Sequence, residues 1–365
     1  MERLTSLISR AFFAACVRAV ERRRARSVSG LAVIVALGYW LGGGDGLQAA
    51  GFDPPPLPAA ADAHATRVDR IYLVSTRAMG TACDCGAMAD GLQCEELVRD
   101  PWGNGVWRQL SWTELSTEFA QPLPTVVFVH GNRIDAGVDK PHGLECYDSL
   151  ACRKPSGVPI RYIIWSWPSS KAPGILHDYR VKAARTGPVA WQLAWAVDQL
   201  PLETPLTLVG YSYGGRVVTG ALHLLAGGDF AGLHLEKRVH PERPPIRAAL
   251  LAAAVHESWI RPGNVHGRAL EQVDQMLLIN NHRDPAMRFY HLAFAGRVRP
   301  LGYGGIARAS LGAFADRVRI VDATGAVGRS HALGDYVSNS RLGAELHHLV
   351  NLATPVESEA LAERN

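Results

Sequence analysis

The chain has 365 residues, of which 47% are hydrophobic and 20% charged, a composition that excludes a disordered or repetitive protein and fits one large domain with short appendages. Its formal net charge is +4. Residues 1–30 hold seven of the 38 basic and two of the 34 acidic side chains, so the remainder is balanced at 31 basic and 32 acidic. A nucleic-acid-binding domain needs a basic folded surface, and this balance predicts none.

The N-terminal 50 residues have the order of a secretory signal peptide. A basic stretch precedes the apolar run Leu31–Leu41, and the small residues Ala49 and Ala50 follow it. The run is shorter than the ~20 residues that a membrane-spanning helix needs. We expect export to the periplasm or the extracellular space, with residues 1–50 removed. The alternative is an uncleaved leader that anchors the protein to the membrane through residues 28–41.

The remaining chain divides by composition and hydrophobic pattern. Residues 51–65 are rich in Pro and Ala and predict a linker, residues 66–352 form the predicted folded domain, and residues 353–365 form a polar tail. Apolar and β-branched runs predict seven strands, at Ile71–Thr76, Thr125–His130, Ile160–Trp165, Leu206–Tyr211, Ile246–Val255, Gln275–Asn280 and Arg317–Asp322. Helical patterns occur at Ala183–Leu200, Gly215–Leu225, Ala269–Gln272 and Ala286–Ala293. This alternation predicts an α/β domain with a doubly wound, mostly parallel sheet flanked by helices.

Five cysteines follow the leader. In an oxidising compartment Cys146 could pair with Cys152, and Cys94 with either Cys83 or Cys85, which leaves one cysteine unassigned. A structural zinc site needs four well-spaced ligands, and the Cys-x-Cys sequence is not followed by a second such pair. We therefore expect no metal.

The segment Gly210–Gly215 has the Gly-x-Ser-x-Gly sequence of a nucleophile elbow. It follows an apolar strand and precedes a helical pattern, which is the strand–turn–helix context that this motif requires. The turn holds the serine in a strained conformation that exposes its hydroxyl, and only glycines fit two places to either side. Because ligand sites of such sheets lie beyond the carboxyl ends of the strands, Ser212 is the predicted nucleophile.

A second turn at the end of an earlier strand contains His130, Gly131 and Asn132. A His-Gly pair permits a sharp backbone turn that aims an amide N–H at the reacting carbonyl oxygen. We predict that the backbone N–H groups of Asn132 and Tyr213 form the oxyanion hole, with His130 and Gly131 at the border of the site.

The acid and the base of a triad follow the serine in chain order. Asp284 comes directly after a strand and precedes a proline, so it is both the predicted acid and a good helix N-cap. Glu257 is the fallback acid. His331, in the loop after the last strand, is the predicted base that takes the Ser212 proton. This chemistry needs no cofactor.

Over about residues 120–340 the chain resembles the α/β-hydrolase superfamily, and in particular a poorly characterised bacterial branch with a Trp-Pro-Ser signature. The matching segments are Val127–Asn132, Ile164–Ser169 and Gly210–Gly215, together with Asp284 and His331. The resemblance implies the α/β-hydrolase fold with a Ser–Asp–His triad. It does not identify a substrate, because this fold supports many reactions.

Two further features concern the surroundings of the site. Trp167-Pro168-Ser169 ends a strand, so we expect Trp167 to border the site, as a packed aromatic in a rigid turn without a catalytic role. Only about twenty residues separate the strands at Val255 and Gln275, which leaves no room for a large cap domain and predicts a shallow site. The predicted rims are Ile134–Pro159 and Arg297–Gly312.

The sequence thus predicts an exported serine esterase that acts on a small or lipid-like ester. An acyltransferase with the same triad is one alternative, and a non-catalytic binding module of the cell envelope is another. The arrangement of Ser212, Asp284 and His331 in space distinguishes a catalytic site from a binding module.

Overall fold

The computed structural model describes residues 69–99, 105–121, 123–152, 159–236, 238–294 and 298–351. The predicted leader, linker and polar tail lie outside these ranges. Within them, no helix combines the length and the apolar character that crossing a bilayer requires. Within the same ranges, no three His, Cys, Asp or Glu side chains converge as metal ligands.

Nine strands and ten α-helices occupy the described part of the chain. The strands are β1 (Arg70–Ser75), β2 (Gln93–Arg99), β3 (Gly105–Leu110), β4 (Thr125–Val129), β5 (Arg161–Ser166), β6 (Leu206–Tyr211), β7 (Ile246–Leu251), β8 (Val273–Asn280) and β9 (Val318–Asp322). The helices are α1 (Cys85–Gly91), α2 (Trp112–Glu118), α3 (Asp139–Ala151), α4 (Ile175–Asp198), α5 (Tyr213–Leu225), α6 (Pro285–Arg288), α7 (Leu301–Gly304), α8 (Thr324–Val327), α9 (Leu333–Val337) and α10 (Ser340–Asn351). Two 3-10 segments span Tyr290–Ala293 and Arg308–Arg317.

All nine strands form one sheet in the order β3-β2-β1-β5-β4-β6-β7-β8-β9. Strand β2 is antiparallel to both of its neighbours, whereas every pairing from β1 to β9 across the rest of the sheet is parallel. The carboxyl ends of the seven parallel strands therefore meet at one edge. The chain leaves β4 toward β5 on one side and leaves β6 toward β7 on the other. The adjacent ends of β4 and β6 therefore form a switch point, where a ligand site is expected.

The central strands are apolar on both faces because helices cover both. All five residues of β4 are buried. Val127 and Val129 belong to an apolar cluster that includes side chains of α4 and α5, whereas the alternate residues Val126 and Phe128 belong to a cluster with α3, α9 and α10. This alternation follows the two-residue period of a strand.

The predicted doubly wound, mostly parallel sheet flanked by helices is confirmed. The seven predicted strands correspond to β1 and β4–β9, and residues 252–272, between β7 and β8, form turns with neither helix nor strand. The helix predicted at Ala269–Gln272 is therefore wrong, because this short segment is a run of turns. The strand predicted to reach Val255 ends at Leu251, since Ala252 has φ 44° and turns the backbone out of the sheet.

None of the disulfides considered from the sequence is formed among the five described cysteines. Cys146 lies within α3 and Cys152 follows its last residue. Two residues that are six positions apart in a helix, as Cys146 and Cys152 are, have Cα atoms about 9 Å apart along its axis and lie on different faces. A disulfide needs Cα atoms closer than about 7 Å, so this pair cannot be bridged in the folded helix.

Candidate active site

Ser212 lies at the carboxyl edge of the sheet, between the end of β6 and the first residue of α5. Its backbone has φ 53° and ψ −118°, a left-handed conformation that non-glycine residues rarely adopt. The Ser212 N–H donates to the Leu251 carbonyl at 3.0 Å, and the Ser212 carbonyl accepts from the N–H groups of Gly215 and Ala254, both at 3.0 Å. These three hydrogen bonds hold the strained turn in place.

The glycines of the elbow are required by close packing. A Cβ atom on Gly214 would lie 2.0 Å from the Val129 carbonyl oxygen, and one on Gly210 would lie 2.7 Å from the Gly214 carbonyl oxygen. A Cβ on Gly215 would meet Ala253 Cβ at 2.7 Å. The motif therefore packs α5 against the ends of β4 and β7 at a distance that side chains would prevent.

The structure brings the three predicted triad residues together. His331 Nε2 lies 3.0 Å from Ser212 Oγ, and His331 Nδ1 lies 2.6 Å from Asp284 Oδ2. With Nδ1–H donated to the carboxylate, Nε2 is left to accept the serine proton. The fallback acid, Glu257, lies elsewhere: its carboxylate pairs with Arg261 Nη2 at 3.4 Å.

Asp284 combines the two roles that its sequence suggested. Its side chain is fully buried. Oδ2 accepts from His331, whereas Oδ1 accepts from the N–H groups of Ala286 and Met287, at 2.9 and 3.2 Å, and so caps α6. The Tyr336 hydroxyl also donates to Oδ2, at 3.4 Å. One carboxylate oxygen is thus fixed by the helix, which aims the other at the imidazole.

Two residues that the sequence did not single out hold the His331 loop. The Asn281 amide Nδ2 donates to the carbonyl oxygens of Gly328, at 2.9 Å, and Ser330, at 3.2 Å. The Tyr211 hydroxyl donates to the His331 carbonyl oxygen, and the two rings lie 5.4 Å apart. Asn281 directly follows β8 and Tyr211 directly precedes the serine, but no local sequence pattern distinguishes an amide or a phenol that binds a distant loop.

The predicted oxyanion hole lies at the His130 loop, His130–Ile134, which follows β4. A Cβ atom on Gly131 would lie 3.0 Å from Ser212 Cβ, so the loop backbone passes directly over the serine. Tyr213 is the first residue of α5. The first N–H groups of a helix have no partner within it and carry the positive end of its dipole. The N–H groups of Asn132 and Tyr213 remain the predicted oxyanion donors.

His130 and Trp167 form the buried support of this loop. The Trp167 N–H donates to His130 Nε2 at 3.3 Å, and His130 Nδ1–H donates to the Gly131 carbonyl at 2.9 Å. Burial lowers the pKa of His130 to about 3, which keeps the ring neutral in this tautomer. The two rings stack with centroids 5.8 Å apart. Both side chains are buried, so they lie behind the loop and not on the solvent side of the site.

No protein-family model matches the chain, and no curated protein sequence is similar to it. Among solved structures, the bifunctional GH43-CE protein of Bacteroides eggerthii is 11% identical with a TM-score of 0.36; the match covers 73% of this chain and 34% of that protein, so the chain spans about a third of its length. An acetyl xylan esterase is 14% identical over 63% of this chain and 98% of its own, with a TM-score of 0.31.

A third similar structure is esterase B from Lactobacillus rhamnosis, in a phosphonate-inhibited form. It is 11% identical, the match covers 82% of this chain and 91% of that one, and the TM-score is 0.36. These likenesses are too weak to assign the fold, which is assigned from the sheet order and from the elbow at Ser212.

Proposed function

We propose that this chain is a serine hydrolase that cleaves carboxylic esters through an acyl-enzyme at Ser212. One observation carries the proposal: Ser212, His331 and Asp284 form a continuous relay of two hydrogen bonds, 3.0 and 2.6 Å long. In such a relay the imidazole is the base for the hydroxyl. The buried carboxylate fixes the ring tautomer and stabilises the imidazolium that forms.

In the acylation half-reaction, Ser212 Oγ attacks the ester carbonyl carbon while its proton moves to His331 Nε2. The carbonyl oxygen becomes an oxyanion, which accepts hydrogen bonds from the N–H groups of Asn132 and Tyr213. The bond between the carbonyl carbon and the alkoxy oxygen then breaks. His331 Nε2 returns its proton to that oxygen, and the alcohol leaves.

Deacylation repeats these steps with water. A water molecule gives a proton to His331 Nε2 as its oxygen attacks the acyl carbon, and the same two N–H groups stabilise the second oxyanion. The bond to Ser212 Oγ breaks, and the proton on Nε2 returns to the serine. The products are the carboxylic acid and the alcohol, and the enzyme is regenerated.

The ring of Tyr213, which follows the serine in the chain, packs against two segments. The Tyr213 ring lies 6.2 Å from the Tyr179 ring of α4 and 6.5 Å from the ring of Tyr290 in the first 3-10 segment. The Tyr290 hydroxyl donates to the Ala254 carbonyl at 3.1 Å, and the Ala254 N–H donates to Ser212. The start of α4 and the first 3-10 segment therefore border the site.

Both bordering segments carry exposed apolar side chains. Leu176 is 43% exposed, Phe289 41% and Leu292 46%. The two segments are joined by a hydrogen bond from Arg180 Nε to the Ala293 carbonyl, at 2.9 Å. Exposed apolar side chains on segments that pack against the elbow favour an uncharged acyl group. Residues 252–272, which connect β7 and β8, form turns and no cap domain. The proposed substrate is therefore a small or lipid-like ester that a shallow site can accommodate.

We also propose that the protein is exported, because the order of charged, apolar and small residues before residue 51 is that of a signal peptide. N-terminal sequencing of the protein recovered from an extracytoplasmic fraction tests this. A new N-terminus near Gly51 supports cleavage. An intact N-terminus in the membrane fraction supports the anchor, and recovery from the cytoplasm contradicts export.

A fluorophosphonate probe tests the proposed function. Such probes phosphonylate only an activated serine, so mass spectrometry of the digested protein should find the adduct on the peptide that contains Ser212. The adduct should be absent from Ser212→Ala and strongly reduced in His331→Gln. The variant Ser116→Ala, in the distant helix α2, should label like the parent. Equal labelling of the parent and of Ser212→Ala contradicts the proposal.

A further inference from the structure

The His130 loop is held in a strained conformation. Arg133 has φ 62°, and it is one of four non-glycine residues with positive φ in the described ranges. Two of the others, Ser212 and Ala252, lie at the elbow and at the end of the neighbouring strand β7. Strained residues persist only where surrounding contacts enforce them, and they cluster at functional sites. Arg133 directly follows Asn132, so contacts that fix Arg133 also fix the loop on the carboxyl side of the Asn132 N–H.

The Trp-Pro-Ser turn, Trp167–Ser169, enforces one side of this loop. Trp167 Nε1–H donates to the His130 carbonyl at 2.8 Å, and the Arg133 N–H donates to the Ser169 carbonyl at 2.8 Å. Ser169 Oγ–H donates to the Ile134 carbonyl at 3.0 Å, and the Ile134 N–H donates back to Ser169 Oγ at 3.3 Å. The turn thus binds the loop at its beginning and at its end.

Asp178, on the first turn of α4, holds the middle of the loop. Its carboxylate is fully buried, and Oδ2 accepts from Asn132 Nδ2 at 3.0 Å and from Arg133 Nε at 2.8 Å. Oδ1 accepts from the Ala172 N–H at 2.7 Å and from Lys182 Nζ at 3.3 Å. One buried carboxylate thereby connects two adjacent loop residues to the segment that follows the Trp-Pro-Ser turn.

We propose that Asp178 and the Trp-Pro-Ser turn are a positioning device for the oxyanion hole: they hold the loop on both sides of the Gly131–Asn132 peptide and thereby aim the Asn132 N–H at the reacting oxygen. This inference rests on the proposed function and assigns a role to a motif that the triad leaves unexplained. Asp178 and Ser169 are positioning residues, since they act through the His130 loop and do not touch the reacting atoms.

Electrostatics favour a charged Asp178. Burial alone would raise the pKa of the Asp178 carboxyl, but hydrogen bonds from Arg133 and Ala172, with the nearby charge of Lys182, outweigh burial and lower the pKa. The carboxylate is therefore ionised at neutral pH. An amide in its place would keep the shape and lose the attraction that holds the Arg133 guanidinium.

The test compares Asp178→Asn with Asp198→Asn. Asp198 is a matched control because it is a buried carboxylate at the other end of α4, where it accepts hydrogen bonds from the Val239 and His240 N–H groups, far from the serine. Four quantities are measured for each variant: kcat and KM for a p-nitrophenyl ester, the inhibition constant of an alkyl boronic acid, and the unfolding midpoint. The boronic acid forms a tetrahedral adduct on the serine and so reports on the oxyanion hole.

We expect Asp178→Asn to lower kcat by about 10²-fold with KM changed little, because misplacing one donor affects mainly the transition state. Boronate inhibition should weaken by a similar factor. Asp198→Asn should match Asp178→Asn in its loss of stability and keep the parent's kcat and boronate affinity. Equal kcat and boronate affinity in Asp178→Asn and the parent overturn the inference.

A second variant serves if Asp178→Asn does not fold. Ser169→Ala removes the two Oγ hydrogen bonds to Ile134 and the longer contact of Oγ with His130 Nδ1, at 3.5 Å. It should lower kcat and boronate affinity together by about 10-fold, whereas parental values would overturn the inference. Failure of the proposed function looks different. In that case the parent itself is not inhibited by the boronic acid, and Ser212→Ala hydrolyses the ester as fast as the parent.

Discussion

His331 Nε2 lies 3.0 Å from Ser212 Oγ although 119 positions separate the two residues in the chain. Ser212 follows β6 and His331 lies beyond β9, with β7 and β8 between them in the sheet. The His331 loop therefore returns across the carboxyl ends of two strands. Asn281, at the end of β8, bridges this gap through its hydrogen bonds to Gly328 and Ser330.

Removal of the Asn281 amide should loosen the loop that delivers the imidazole. We expect Asn281→Ala to lower kcat by 10- to 100-fold, roughly the effect of misplacing a catalytic group by 1 Å, with a smaller change in KM. Asn339→Ala is the control, since Asn339 accepts from the N–H groups of Arg341 and Leu342 near the start of α10. Steady-state kinetics that show no difference between the two variants would contradict this role.

The two oxygens of Asp284 have separable functions. Asp284→Asn keeps an oxygen that caps α6 but places an amide NH2 group, a donor, opposite the His331 Nδ1–H. We therefore expect kcat to fall by about 10⁴-fold with little loss of stability. Asp284→Ala should lose a similar factor in kcat and, in addition, about 0.5–2 kcal/mol of unfolding free energy from the missing cap. Kinetics and chemical denaturation of both variants check this. Equal stability of the two variants would show that the cap contributes nothing.

The close approach of the His130 loop to the serine gives a steric test. A Cβ on Gly131 would lie 3.0 Å from Ser212 Cβ and 3.1 Å from the Tyr211 ring, so Gly131→Ala must displace the loop or the serine. We expect kcat to fall by about 10²-fold. Gly325→Ala, where a Cβ has nothing within 4 Å, should leave kcat unchanged. Parental activity of Gly131→Ala would contradict the position assigned to the loop.

Buried histidines make stability depend on pH. Burial lowers the pKa of His130 to about 3 and that of His142 to about 4, both below the value near 6.5 expected in the unfolded chain. As pH falls below 6.5, the unfolded chain takes up protons that these folded imidazoles do not bind. Each therefore costs stability at about 1.4 kcal/mol per pH unit between pH 6.5 and its folded pKa.

The variant His142→Gln isolates one of these histidines. We expect the free energy of unfolding, measured by denaturation at pH 4.5 to 6, to rise less steeply with pH than the parent's. The difference in slope should be about 1.4 kcal/mol per pH unit, the value for one proton. The comparison of slopes removes the contribution of the carboxylates, because these are the same in both proteins. An unchanged slope would mean that His142 titrates alike in the folded and unfolded states.

The sequence predicted the triad because each of its members is tied to a local pattern. Ser212 has its glycines, Asp284 has the strand before it and the proline after it, and His331 follows the last strand. The supports of the triad have no such pattern. Asp178 and Asn281 become important only through residues far away in the chain, so neither spacing nor composition distinguishes them from ordinary polar residues.

The elements missed in the fold have a similar explanation. Strands β2 and β3 lie at the edge of the sheet, where half-exposed residues such as Glu95 and Glu96 interrupt the apolar pattern that marks a buried strand. Helix α3 lies in Ile134–Pro159, which the sequence predicted only as a rim of the site. The central strands were predictable because burial on both faces demands continuous apolar runs.

The role of the Ser212 hydroxyl as the nucleophile is tested by the rate at which the full chain hydrolyses p-nitrophenyl acetate. This rate is compared with the rates of Ser212→Ala and of the control Ser116→Ala. We expect Ser212→Ala to lose at least ~10³-fold in kcat and Ser116→Ala to keep the parent's rate. A Ser212→Ala variant that is folded and hydrolyses the ester as fast as the parent would contradict this role.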